Sequence, residues 1–260
     1  MPEQKEMHMT RLLIPVPSYG FDPTEVAIPW KILSGEGIDV VFTSPDGGKA
    51  STDASMLDGS RLGIWKPLLR ARRDAVVAHS ELEENDSFCR PLKYAEVWAD
   101  DFDALFLPGG HDKRVKEYLE SEVLQSLVAD FFVAGKPVGA ICHGVVLAAR
   151  STNPGTGKSV LHDYKTTALL KSQEMAAYKM TRLWLKDYYL TYPGLTVEDE
   201  VRSVLSDSSN FICGPTPVLR DSHKHLERGF VVSDRNYLSA RWPGDVYSIS
   251  IKMAELCLAR

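Results

Sequence analysis

The residues of this chain most able to do chemistry are Cys142 and His143, adjacent at the end of one apolar run and the start of another. Lys136–Cys142 has the composition of a short buried strand, and His143–Arg150 that of the helix that follows. Cys142 is therefore expected at a strand-to-helix corner. Ala140 and Gly144 are small enough to let that corner turn tightly and hold the side chain out of it, a nucleophile elbow with Cys in place of Ser. Unpaired amides at a helix N-terminus favour an anion, so a thiol there is expected to ionise more readily than a free Cys and to be the first of the four cysteines oxidised by peroxide. The plainer alternative is a Cys serving as a small buried hydrophobe. Against it stand the corner, the adjacent His143 and a second turn, Gly109-Gly110, closing another apolar run.

The elements that must position these residues are legible as alternating strands and helices. Arg11–Pro17 opens as a strand, Thr24–Leu33 reads as a helix capped by Asp22 or Thr24, and Ile38–Ser44 is the next strand, which together make a βαβ unit and imply a parallel sheet. The pattern is lost from Ala50 to about Ala99, read as an inserted cap outside the sheet with its aromatic residues mostly buried. It resumes with the strand Asp103–Pro108, a helix over Lys113–Ala134 and the elbow strand. Later segments read as a short strand at Lys165–Ala168, helices at Gln173–Lys186 and Thr196–Leu205, a hairpin around Asp234-Arg235-Asn236, and a closing helix at Val246–Leu258. The whole of 1–260 reads as one α/β domain with an insertion at about 50–99.

Composition narrows the function classes. The chain has 260 residues, 44% of them hydrophobic, and a net charge of −5 with both signs interspersed. That suits a globular protein with a sizeable core and gives no reason to expect nucleic acid or an anionic membrane as partner. Met1–Thr10 lacks the apolar centre of a signal peptide, so a cytoplasmic address is expected. Cys89, Cys142, Cys213 and Cys257 are too unevenly spaced for a zinc or CxxC redox motif, and no metal or other cofactor is expected. His223 and His225 with Glu227 could hold a metal, but read more simply as a solvated turn.

Three separated motifs, Thr24-Glu-Val-Ala-Ile-Pro29, Leu107-Pro-Gly-Gly-His111 and Ala140-Ile-Cys-His-Gly144, together with the tail Ser239-Ala-Arg-Trp-Pro-Gly244, resemble the ThiJ/PfpI superfamily, in its larger branch of glyoxalase III and heat-shock chaperone-like proteins. The resemblance implies a flavodoxin-like α/β sandwich with helices on both faces and, commonly, a homodimer. It implies Cys142 as nucleophile, Glu25 as the carboxylate facing its sulfur, and His143 as part of a Cys-His-acid set. A carboxyl facing a thiolate in a dry pocket should share one proton with it. Glu174 matches the downstream acid in order, with Asp163 as competitor. Oxyanion donors are expected from the amides of Gly110 and His143, and His111 is expected to line the pocket. Ile28 and Asp112 depart from the branch's pattern near the expected pocket mouth.

The implied activity is a glutathione-independent conversion of a small reactive carbonyl, methylglyoxal or glyoxal, to its hydroxy acid. A stress chaperone using exposed apolar surface around Trp65, Leu68, Leu69 and Trp98 is the alternative from another class. A cysteine hydrolase, peptidase-like or an amidotransferase using His225-Leu-Glu227, is the third.

Overall fold

The computed structural model describes residues 9–259. Nine strands form in chain order: β1 Arg11–Pro15, β2 Tyr19–Phe21, β3 Asp39–Ser44, β4 Ser51–Thr52, β5 Leu92–Lys93, β6 Ala104–Leu107, β7 Val138–Ile141, β8 Val231–Asp234 and β9 Tyr237–Ala240. Seven make one sheet in the order β5-β3-β1-β6-β7-β9-β8, parallel throughout except for the β8–β9 pair. The inner strands β1, β6 and β7 are almost wholly buried apolar runs, as a parallel sheet covered on both faces requires. One helical layer packs Pro23–Gly35 against Arg73–Leu82 and Val246–Leu258, and the other gathers Glu122–Val133 and Val197–Val204 around Gly144–Arg150.

Six consecutive parallel strands run β5-β3-β1-β6-β7-β9, so the winding direction reverses between β1 and β6. In a doubly wound sheet the crevice outside the carboxyl ends of the strands at that reversal is where ligands bind. The segments leaving β1, β6 and β7 carry Glu25, Gly109-Gly110 and Cys142-His143 respectively. Topology thus gathers three distant motifs at one edge of the sheet.

Several sequence-based expectations need correction. The insertion does not stay outside the sheet: Leu92 and Lys93 pair with Thr43 and Ser44 and form its edge. Its aromatic residues are mixed, with Phe88 and Tyr94 buried, Trp65 half-buried and Trp98 63% exposed. The helix expected over Lys113–Ala134 is broken at Glu120, because the Ser121 backbone is extended and its hydroxyl caps the N–H of Leu124 at 3.3 Å, starting a new helix at Glu122. Lys165–Ala168 makes only a single bridge, Thr166 to Phe211. The hairpin forms with Asp234 opposite Tyr237 and Arg235 at φ 56° in the turn.

Residues 50–99 are not alone over the carboxyl edge. Met56 and Leu62 from that segment form a satellite core with Leu185, Tyr188 and Tyr189, which follow or end the helix Lys171–Leu185. Asp53 and Tyr188 join the two segments by a hydrogen bond. The cover over the site is therefore built from two stretches far apart in sequence.

Candidate active site

Cys142 follows β7 with φ 56°, a left-handed conformation that a side chain adopts at a cost of about 1–3 kcal/mol. The surroundings hold it there. Its N–H donates to the Ala240 carbonyl of β9 at 3.1 Å, and its carbonyl accepts from Val145 in the helix that follows. Gly144 lets that helix start hard against the end of β6, since a Cβ on it would meet the Leu107 carbonyl oxygen at 2.1 Å. Alanine at 144 would push the corner open.

Asp22 caps the first helix, accepting from the N–H groups of Thr24 and Glu25 at 2.8 and 3.3 Å, and its own N–H donates to the Gly109 carbonyl at 2.9 Å. That clamp brings Glu25 to the loop after β6, where Oε2 accepts the Gly109 N–H at 2.8 Å. Oε1 is buried with no aligned hydrogen bond, and the Cys142 thiol is the carboxyl's side-chain partner. Gly109 is the glycine of closest approach: a Cβ there would lie 2.7 Å from the His143 nitrogen, 2.8 Å from Glu25 Oε2 and 3.0 Å from Cys142 Cβ. A Cβ on Gly110 would instead strike the Gly20 carbonyl at 2.4 Å, so its small size serves packing against β2.

His143 lies with Nδ1 3.5 Å from Cys142 Sγ and Nε2 2.9 Å from the Thr191 hydroxyl. Thr191 Oγ1 is also 3.5 Å from the His111 carbonyl, which can only accept. The network therefore assigns the tautomer: Thr191 donates to the carbonyl and accepts Nε2–H, leaving the Nδ1 lone pair toward sulfur. His111 packs edge-on against His143 and Tyr189, with ring centroids 5.1 and 5.0 Å apart.

Burial governs the protonation states. It pushes Glu25 well above the usual carboxylate range, with the Asp22 charge adding to the shift. It pushes the Cys142 thiol up as well, with Glu25 and Asp22 adding and the His143 N–H opposing. His143 is held well below the ordinary imidazole range by burial, then by His111 and Arg150, and His111 is pushed down to about 4 by burial. At neutral pH the resting set is a thiol and a neutral imidazole, beside a carboxyl that burial biases toward its protonated form.

Three expectations are corrected here. The helix terminus does not acidify Cys142, because 1% exposure and two carboxyl neighbours outweigh the amide that opposes them. The partial exposure assumed for its early oxidation is absent, since Cys142 is buried and Cys213 is exposed. Glu174 is not the acid of a Cys-His-acid set: its Oε2 accepts the Val197 N–H at 3.0 Å, stapling two helices, while His143 is held by Thr191. Asp163 is exposed and its side chain lies 4.0 Å from His162.

His223 packs edge-on against Tyr247 while His225 pairs with Glu227 on the exposed surface, so neither a metal site nor an amidotransferase-like His-Glu pair forms with Cys142. Among the described residues no three His, Cys, Asp or Glu side chains converge as metal ligands. Ile28 is buried in the core and Asp112 pairs with Arg114 at 2.9 Å, and neither lines the cavity.

A cavity of about 200 Å³ lies beside this set, walled by Asp22, His111, Glu174, Tyr189, Arg220 and Trp242 among mainly apolar neighbours. Cys142 is not in its wall, but Asp22 and Glu174 both act on its charge. Thr191, Tyr189 and Arg220 escaped the sequence reading, and Trp242 entered it as part of the tail motif with no site role assigned. The first three sit in irregular segments without motif spacing, and only the tail motif that contains Trp242 offered a signal.

The model of the family described as ThiJ/PfpI family-like matches residues 16–215. The chain belongs to that family. It is 26% identical over 245 residues to an uncharacterized protein of Schizosaccharomyces pombe, covering 91% of this chain and 79% of that one. A glutathione-independent glyoxalase of the same yeast is 28% identical over 157 residues, 58% of this chain and 60% of the relative. Among solved structures, a Francisella tularensis Rapid Encystment Protein superposes with a TM-score of 0.71 at 16% identity, covering 96% and 99% of the two chains. Glyoxalase III of Candida albicans superposes at 0.67 and 18%, covering 97% of each. These neighbours share the flavodoxin-like α/β fold expected of the family.

Proposed function

We propose that this protein converts small α-oxoaldehydes to 2-hydroxy acids at Cys142 without glutathione. The observation that carries the reading is the buried set itself: a sulfur at a strained corner, an imidazole nitrogen 3.5 Å from it, and a carboxyl held beside it by Gly109. The relative named as a glutathione-independent glyoxalase supports the same direction.

The chemistry needs only these groups. His143 Nδ1 takes the thiol proton as sulfur bonds to the aldehyde carbon, and returns it to the new alkoxide to give a hemithioacetal. The amides of Gly110 and His143 are the proposed donors to that oxyanion. His143 then removes the hydrogen from the former aldehyde carbon while Glu25 protonates the neighbouring ketone oxygen, giving an enediol. Return of the first proton to the ketone carbon, and of the hydroxyl proton to Glu25, leaves a thioester of the hydroxy acid. One carbon is oxidised and its neighbour reduced, so no outside oxidant enters. Water then cleaves the thioester and restores the thiol.

A raised Glu25 suits this role because it arrives protonated, able to give a proton before it takes one. Incubation of the purified protein with methylglyoxal and with glyoxal, free of glutathione, tests the reading: lactate and glycolate should accumulate as the aldehydes disappear. Disappearance without hydroxy acid, or no reaction by folded protein, would sink it.

A further inference from the structure

The cavity beside the elbow carries more polar atoms than the conversion of a three-carbon aldehyde uses. Gln173 Oε1, Tyr189 Oη, Trp242 Nε1 and His111 Nδ1 are all buried and make no hydrogen bond among the described residues. All four residues line the same cavity. A buried polar group without a partner carries an uncompensated desolvation penalty, so four around one space call for a partner that the protein does not itself supply. They offer both hands: the indole N–H can only donate, the amide oxygen can only accept, and the phenol can do either.

Apart from Asp22, Glu174 and Arg220 the rest of the wall is apolar, including Met56, Leu69, Leu169, Met180 and Val218. Its volume of about 200 Å³ exceeds the roughly 150 Å³ that suffices for a benzene ring in an apolar protein cavity. Methylglyoxal would leave most of it unfilled. Charge argues for a neutral occupant. The Arg220 guanidinium, which also donates to the Leu68 and Leu69 carbonyls at 3.3 Å, interacts favourably with Asp22, so the cation is already compensated.

Resting on the aldehyde chemistry at Cys142, we infer that this cavity selects α-oxoaldehydes whose apolar body is the size of an aromatic ring and ends in an uncharged hydroxyl or amide. His111 is the shared wall between the two parts, lining the cavity and packing against His143. The carbonyl end would react at the elbow while the polar end meets Gln173, Tyr189 or Trp242.

Steady-state rates with methylglyoxal, phenylglyoxal and 4-hydroxyphenylglyoxal, without glutathione, test this. Burying the ring should raise kcat/KM at least about tenfold over methylglyoxal, as even one extra methylene in an apolar pocket can. The hydroxyl should add about two- to tenfold, the net worth of a hydrogen bond. Gln173→Met combined with Trp242→Phe should erase the preference for the hydroxyl, and Ala177→Leu should lower the ratio of phenylglyoxal to methylglyoxal. Should Ala177→Leu fail to fold, Ala176→Phe at the exposed rim tests the same ratio. Methylglyoxal turned over as well as the aryl compounds, or variants that leave both ratios unchanged, would overturn the inference and leave the proposed reaction standing. No turnover of any of the three by folded protein would overturn the proposed reaction and this inference with it.

Discussion

Thr191 holds His143: its hydroxyl stands 2.9 Å from Nε2, on a segment 48 positions away, and fixes which imidazole nitrogen faces the Cys142 sulfur. The third member of the set is thus a neutral hydroxyl rather than a carboxylate. A carboxylate there would favour the imidazolium, which could not take the thiol proton. A hydroxyl leaves the ring neutral, as its depressed pKa also requires.

Thr191→Val keeps the shape and leaves the buried Nε2–H without an acceptor, at a cost of about 1–3 kcal/mol. Turnover should fall about ten- to a hundredfold, and Thr191→Ser should restore most of it. If Val and Ser behave alike, the hydroxyl does not position the imidazole.

Glu25→Gln cannot exchange a proton, so kcat should drop by about 10²–10⁴. It also removes the carboxylate that raises the thiol, so the pH midpoint for iodoacetamide modification of Cys142 should move downward. In the wild-type protein that modification should still be rising above pH 9, because the thiol lies above its ordinary value. An unchanged midpoint in the variant would mean that the two groups are not coupled.

Glu174 is pushed up to about 7 by burial. Its folded value exceeds its unfolded value of about 4.3, so the stability it contributes is present below that pH and is lost as pH rises through about 7. Glu174→Gln keeps an acceptor for the Val197 N–H and never ionises. The variant should melt several degrees above wild type at pH 8 and close to it at pH 4, below the unfolded value. A difference independent of pH would place the effect in packing.

The elbow was readable in the sequence because its constraints are local, whereas the role of Glu25 came only from the resemblance. Cys142 needs small neighbours, Gly144 faces a carbonyl at 2.1 Å, and Glu25 stands three residues after its cap. The inner strands and their parallel pairing were readable for a similar reason, since buried parallel strands are short apolar runs between helices. What could not be read depends on contacts across long stretches. Thr191, Tyr189 and Arg220 lie in irregular chain with no periodicity, and are placed by the satellite core that joins residues 50–99 to the helix at 171–185. The acid assigned to Glu174 failed because chain order carries no information about which side chain reaches the imidazole. The thiol's acidity was misjudged because burial, a property of the assembled fold, outweighs the helix terminus.

The most direct test of the account is to mix the protein with methylglyoxal in the absence of glutathione, quench during turnover, and map adducts by mass while measuring lactate. The wild-type protein should carry the methylglyoxal mass on Cys142 and release lactate, whereas Cys142→Ala, folded as judged by circular dichroism, should do neither. Lactate formed by Cys142→Ala at the wild-type rate, or an adduct confined to Cys89, Cys213 or Cys257, would contradict it.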